Sequence, residues 1–333
     1  MKLERNFGVE NTLGLKAQSL LGCTVRSVDE LKAVMGGPEF LNQQPVVIGS
    51  GSNVIAMPLV EKLIIKMRIK GIYRVKENKE FVWIRVGAGE NWDSLVRSLL
   101  EKNIFGLENL ALIPGRVGGA PIQNIGAYGR EVSEFIDEVE VFDRTGEELI
   151  LKHLDCEFGY RTSIFKTKND FIIGWVTFKL LKRPNPKTDY PDLKNFLSSL
   201  DLTEPSPEEV ADAVTQIRTE KLPNPVTHPN IGSFFKNPVI AKDLALSLAS
   251  QIDGLKVFEV PGGFKLSAAQ LIDLDGWKGK SEKTVSCWVK QPLVLVNRGE
   301  ATAYDVLSYA KKIIISVRDR FGVTLELEPS VLS

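Results

Sequence analysis

The chain has 333 residues, 43% hydrophobic and 25% charged, and its 42 Lys and Arg balance its 42 Asp and Glu, so no overall basic field argues for nucleic acid or an anionic membrane as a partner. Cys23, Cys156 and Cys287 are far apart and odd in number, and His153 and His228 are distant from each other, which excludes a disulfide framework and a zinc site as working expectations. The N-terminus lacks the apolar run of a signal peptide and no window approaches the roughly 18 apolar residues of a membrane span, so the expectation is a cytoplasmic soluble protein of two or three domains, with no metal.

The first third alternates short strand-like runs with turns. PVVIGSGSN (45–53) is an apolar run ending in small residues, and KLIIKM (62–67) and FVWIRVGAG (81–89) are further β-type runs. The period then changes: Trp92, Leu95, Val96, Leu99 and Leu100 share one helical face. EVEVFDRTGEELILKH (138–153) reads as a hairpin turning at Thr145-Gly146, and FIIGWVTFKLL (171–181) as another strand. RPNPKTDYPDL (183–193) reads as a proline-rich exposed loop. Ser206-Pro207-Glu208-Glu209 is a helix start, with a capping serine, proline in the first turn and Glu209 completing a capping box. That helix is expected to stop near Leu222-Pro223, a domain boundary. Beyond it come helices in AKDLALSLASQ and SAAQLIDL, a strand in PLVLVN (292–297), a long helix in TAYDVLSYAKKIIISVRDRF ended by Gly322, and a closing strand, VTLELEPSV.

Chemistry concentrates in a few places. PGRVGGAPIQNIGAYG (114–129) holds Gly115, Gly118, Gly119, Gly126 and Gly129 around an amide pair, Gln123-Asn124. A loop with so few side-chain walls lets backbone N–H groups approach a ligand and cradle phosphate. No Gly-Lys-Ser/Thr follows, so it is not a Walker loop, and it does not open a helix as a dinucleotide fingerprint would. IGSGSN (48–53) is a second loop of the same kind, and together they suggest one long ligand with a diphosphate at its middle, such as a dinucleotide. Arg161 lies in a short connection, GYRTSIFK (159–166). In KLPNPVTHPNIGSFFKNP (221–238), Ser233 sits beside two aromatic rings, and Lys221, Lys236 and Asn237 suit an anionic, polar ligand. His228 has no identifiable acid partner, which disfavours a hydrolase triad. Glu326 and Glu328 alternate along LELEP and so share a face of the expected strand.

IGSGSN, IPGRVGGAPIQNIGAYG, GYRTSIFK, the KLP around Lys221, GSFFKNP, KLSAAQLID, LVLVN and GVTLELE occur in an order that resembles the UDP-N-acetylenolpyruvoylglucosamine reductase (UDP-N-acetylmuramate dehydrogenase) family almost end to end. This is a flavoenzyme family of bacterial peptidoglycan precursor synthesis. The PIQNIGAYG form and the loop bearing Tyr190 resemble its longer class, in which a tyrosine loop closes on substrate. The resemblance implies an α+β chain: a vanillyl-alcohol-oxidase/PCMH-type FAD-binding fold of two α+β subdomains (1–67 and 68–222), a C-terminal α+β substrate-binding domain (223–320), and a last strand (321–333) returning to the active site.

It also implies non-covalent FAD held by Gly49, Ser50, Gly51, Ser52, Asn53 and Val54 in one loop. In the other loop the implied contacts are Pro114, Gly115, Gly118, Gly119, Gln123, Asn124, Ile125, Gly126 and Ala127. NADPH is the implied hydride donor and the enolpyruvyl ether of UDP-N-acetylglucosamine the acceptor, in a monomeric cytoplasmic enzyme. Arg161 and Glu328 match the residues that stabilise the enol form, and Ser233 the one that protonates C2. Tyr190, Arg218, Lys221, Asn237 and Gln291 match positions that hold the nucleotide sugar. One departure is that Glu328 is followed by Pro329-Ser330-Val331, which leaves Glu326 as the alternative acid. Two other readings compete. An oxygen-using oxidase of the same fold leaves GSFFKNP unexplained, and a non-catalytic binding module has no need of the Arg-Ser-Glu set.

Overall fold

The computed structural model describes residues 2–168 and 170–333. Packing divides the chain into two compact units, one of residues 1–7, 19–50 and 61–218, the other of residues 8–18, 51–60 and 219–333. Residues 8–18 and 51–60 join the C-terminal part, whose long stretch begins at Thr219.

In the first unit the strands Glu4–Gly8, Gln18–Val25, Ile64–Met67 and Val46–Ile48 lie side by side in that order. Gln18–Val25 and Val46–Ile48 both run parallel to Ile64–Met67, with Cys23 opposite Ile65 and Val47 opposite Ile65. The helix Val28–Met35 starts where Ser27 accepts the Glu30 amide and buries Leu31, Val34 and Met35. A second, antiparallel sheet has the order Glu148–Lys152, Ile136–Phe142, Ile172–Leu181, Phe81–Gly87, Ile72–Glu77. Its middle strand, Ile172–Leu181, is buried along nearly its whole length, which is why its sequence is a continuous apolar run rather than an alternation. Trp92 opens the helix Trp92–Leu100, stands edge-on to Phe178 at 6.0 Å between ring centroids, and donates its indole N–H to the Leu110 carbonyl. Burying such a ring is worth about 2–3 kcal/mol.

The second unit has its own core. Strands Asn230–Ser233, Val294–Asn297, Val285–Cys287 and Ser281–Glu282 form an antiparallel sheet in that order. The helix Ala303–Phe321 is fixed at its start by a Thr302/Asp305 capping box and ended by Gly322 at φ 69°. Its residues Val306, Ala310, Ile313 and Val317 pack with Leu295, Phe234 and Phe235 in the same hydrophobic cluster.

Two sequence readings are corrected. The run 183–193 is not loop throughout, because Pro191 takes the first position of a helix, Pro191–Ser199, that buries Leu193 and Leu197. VTLELEPSV is not one strand. Leu327 makes an isolated antiparallel bridge to Phe235, and a separate short strand, Ser330–Leu332, runs parallel to Val54–Ala56. Pro329, which has no N–H to donate, stands between the two pairings.

Cys23, Cys156 and Cys287 are free and buried. Burial pushes their thiols up to about 11, about 12 and about 12 respectively. The expected result is that none reacts with Ellman's reagent at pH 8 until denaturant is added, after which all three titrate. A fast-reacting thiol in the native protein would contradict the packing around it. Among the described residues no His, Cys, Asp and Glu group could hold a metal, and no helix is long and apolar enough to cross a membrane.

Candidate active site

The residues singled out in the sequence fall into two sets, one in each unit. In the first unit the glycine loop and the Arg161 turn are tied together by three bonds. Asn124 Nδ2 donates to the Gly159 carbonyl at 3.1 Å, Ser163 Oγ to the Ile122 carbonyl at 2.6 Å, and Arg161 Nη2 to the Gly126 carbonyl at 3.1 Å. Arg161 itself is held in the left-handed region at φ 55°, a conformation costing about 1–2 kcal/mol for a residue with a side chain. Gly159 and Thr162 clasp each other across it through paired backbone bonds. Gly126 is glycine because a Cβ there would lie 2.9 Å from the Arg130 carbonyl oxygen and 3.3 Å from Arg161 Nη1.

Asn124 is fully buried, and its side chain also donates to Glu131 and accepts the Ser133 amide, so any ligand contact it makes comes from its main chain. The glycine loop ends in Tyr128, whose ring meets Tyr190 edge-on at 5.5 Å between centroids. Burial pushes the Tyr128 hydroxyl up to about 12 and raises that of Tyr190 as well. Desolvation lowers the Arg218 pKa, opposed by the charges of Tyr128 and Asp93, and its Nε is buried without a hydrogen-bond partner.

These residues suit a diphosphate-bearing cofactor. Ser50 Oγ and Arg116 Nε are buried polar atoms with no partner inside the protein, and Gly49 packs against Arg116, 3.2 Å from its Cβ to where its own Cβ would be. Buried polar atoms are ordinarily satisfied, so orphans beside glycine-rich backbone mark a place where a ligand supplies the missing bonds. Gly119 faces open space, whereas a Cβ at Gly118 would come within 2.7 Å of Ala88 Cβ.

In the second unit Gly51 stands at φ 66°, and a Cβ on it would meet the Glu10 carbonyl oxygen at 2.0 Å, so only glycine fits. Asn53 leads into the strand Val54–Ala56, and its carbonyl accepts the Ser330 amide at 3.1 Å. Ser233 ends the strand Asn230–Ser233, is exposed in its unit, and follows Gly232 at φ 71°. The next residue, Phe234, accepts the Glu328 amide at 3.0 Å, so main-chain pairing brings the Ser233 and Glu328 segments together.

Glu326 is placed differently. It is exposed and ion-paired with Lys236 at 2.8 Å, and that hydrogen bond, then the charge behind it, lowers its pKa. Gln291 belongs to the turn whose Leu293 carbonyl accepts the Phe234 amide, and Trp288 links the same turn to the Lys221 carbonyl at 3.1 Å. Asn237 caps the Ala268 amide with its side-chain oxygen at 2.9 Å. His228 contacts Thr227 and the edge of Trp288.

Sequence reasoning missed Asn230 and Asn109. Asn230 is buried and braces the turn before Ser233, donating to the Pro223 and His228 carbonyls and accepting the Gly232 amide. Asn109 does comparable work near Tyr128. Bonds of this kind join residues that share no local periodicity, so only the fold exposes them.

The chain is similar to known proteins along its length. Residues 21–152 match the model of an FAD binding domain, and residues 224–332 that of the UDP-N-acetylenolpyruvoylglucosamine reductase C-terminal domain. The chain is 41% identical to the UDP-N-acetylenolpyruvoylglucosamine reductase of Polynucleobacter asymbioticus, over 99% of this chain and 97% of that one. It is 40% identical to that of Amoebophilus asiaticus over the whole of both. The crystal structure of the corresponding reductase from Thermus caldophilus superposes with a TM-score of 0.69 at 27% identity, covering 100% of both chains.

Proposed function

The chain belongs to the UDP-N-acetylenolpyruvoylglucosamine reductase family, and from that premise we propose that it reduces UDP-N-acetylglucosamine enolpyruvate to UDP-N-acetylmuramate with NADPH, using Arg161, Ser233 and Glu328. It is an FAD-dependent oxidoreductase of peptidoglycan precursor synthesis, and its fold is an FAD-binding PCMH-type domain followed by the family's C-terminal domain. Bound FAD would supply two-electron hydride chemistry between NADPH and C3 of the enolpyruvyl group. The loops containing Gly49–Ser50 and Pro114–Ala127 hold it through backbone amides, with Ser50 Oγ and Arg116 Nε as side-chain donors.

As C3 gains hydride, negative charge develops at C2 and on the adjoining carboxylate. Arg161 and Glu328 stabilise that enol form, which exists only along the reaction coordinate, so their interaction lowers the barrier rather than merely tightening substrate binding. Ser233 delivers the proton to C2. Tyr190, Arg218, Lys221, Asn237 and Gln291 hold the nucleotide sugar, and Tyr190 contributes at its diphosphate. The observation that carries the reading is the main-chain bond from the Glu328 amide to the Phe234 carbonyl, which brings the Ser233 and Glu328 segments together in a chain similar to its relatives from end to end.

The purified protein is expected to be yellow, with one FAD per chain released on denaturation. Under anaerobic conditions, steady NADPH oxidation should require the enolpyruvyl nucleotide sugar. A colourless protein that cannot be reconstituted with FAD would remove the basis of the proposal. Turnover with oxygen but not with the nucleotide sugar would favour the oxidase reading instead.

A further inference from the structure

Asn230 opens the strand that ends in Ser233, and it is buried. Its main chain is clamped by Thr12, whose carbonyl accepts the Asn230 amide at 2.9 Å and whose hydroxyl donates to the Asn230 carbonyl at 2.7 Å. Its Nδ2 donates to the Pro223 carbonyl at 3.0 Å and the His228 carbonyl at 2.8 Å, and its Oδ1 accepts the Gly232 amide at 2.9 Å. The last bond closes an Asx turn, and it falls on an irregularity in the strand. Asn230 pairs with Val296 and Ser233 with Val294, so three steps along one strand oppose two along the other. That is a β-bulge, and Gly232 lies in it at φ 71°. Alternate residues of a regular strand share a face, so without the extra residue Ser233 would lie on the side of Ile231, which is buried in the hydrophobic cluster. The bulge reverses the alternation: Ser233 is exposed, and Phe234 is fully buried in that cluster instead.

We propose that Asn230 is a positioning residue for the proton donor: by holding the Gly232 amide it keeps the bulge in the one conformation that turns the Ser233 hydroxyl out of the core and toward the reacting carbon. The inference rests on the assignment of Ser233 as the donor to C2. Proton transfer demands that the donor stand within hydrogen-bond reach of its target, and a glycine by itself leaves the backbone too many conformations to guarantee that. The Asn230 side chain is buried and bonded within its own unit, so it acts through the Gly232 peptide and not by contact with the substrate.

The test uses the holoenzyme with Asn230→Ala, Asn230→Ser, Ser233→Ala and the double variant of the two alanines. Anaerobic stopped flow reads flavin reduction by NADPH and flavin reoxidation at saturating enolpyruvyl substrate, which separates binding from the chemical step. Asn230→Ala is expected to slow reoxidation about tenfold, the scale of a modestly misplaced reacting group, and to leave flavin reduction within about twofold. Asn230→Ser keeps a hydroxyl that accepts the Gly232 amide in the same kind of turn, and should recover reoxidation to within about threefold of wild type. In the Ser233→Ala background Asn230→Ala should add less than about twofold, because coupled residues do not act additively. If Asn230→Ala loses FAD, Gly232→Ala carries the same expectation, since a Cβ there meets nothing within 4 Å and disturbs only the left-handed backbone of the bulge. Wild-type reoxidation in Asn230→Ala, when Ser233→Ala is slow, overturns the proposal. So do equal slowing of both half-reactions, a serine variant no faster than the alanine one, and effects that multiply fully in the double variant, each of which marks an asparagine that only supports the fold. Wild-type reoxidation in Ser233→Ala sinks the Ser233 assignment and this proposal with it.

Discussion

Ser233→Ala is expected to leave flavin reduction by NADPH nearly unchanged and to slow reoxidation by the enolpyruvyl substrate by a factor on the order of 10² or more, the usual scale for a positioned proton donor. Two features justify isolating the effect to one half-reaction. Ser233 is exposed at the end of its strand, so removing its hydroxyl leaves no cavity in the core. The turn that carries it is braced by Asn230 and by the left-handed Gly232, neither of which depends on the hydroxyl. Stopped-flow absorbance of the flavin follows the two halves separately. Equal slowing of both would mark a structural serine, and slowing of neither would remove its role. Cysteine at 233 also carries a proton and should retain more activity than alanine. If it does not, geometry rather than proton delivery is the better account.

The second large effect distinguishes two glutamates that the sequence left as alternatives. Glu328→Gln is expected to lower the rate of reoxidation by about 10²-fold, the scale seen when a group stabilising developing charge is removed. Glu326→Gln should stay within about twofold of wild type, because Glu326 is exposed and committed to Lys236, and exposed pairs of that kind contribute little. The hydrogen bond from Lys236, then its charge, holds the Glu326 carboxyl below its ordinary range. Measuring both variants under single-turnover conditions decides the matter. A large loss in Glu326→Gln with none in Glu328→Gln would reverse the assignment.

What was legible in the sequence was whatever leaves a local trace. The apolar face of Trp92–Leu100 repeats at helical spacing, and Gly322 ends Ala303–Phe321. The glycines of residues 114–129 were readable as backbone that must approach something, and the orphaned Ser50 and Arg116 atoms lie where such an approach is expected. The failures have equally local causes. Prolines at 184, 186 and 191 looked like one loop, but Pro191 is a helix start, and Leu193 and Leu197 are buried four residues apart behind it. Alternation in VTLELEPSV looked like one strand, yet the chain changes partners around Pro329. Asn109 and Asn230 were illegible because a buried side-chain amide reports on the carbonyls it meets, and those come from distant parts of the chain.

The parallel pairing of Val54–Ala56 with Ser330–Leu332 sets an order of events during synthesis. Chains emerge N-terminus first, and contacts between remote segments wait for the later one. The edge at Val54–Ala56 is therefore made early and stays without its mate until codon 332 has been translated. An edge of that kind can recruit a strand from another molecule, and nascent copies on one message are the nearest candidates. A pause anywhere between the two segments prolongs that exposure.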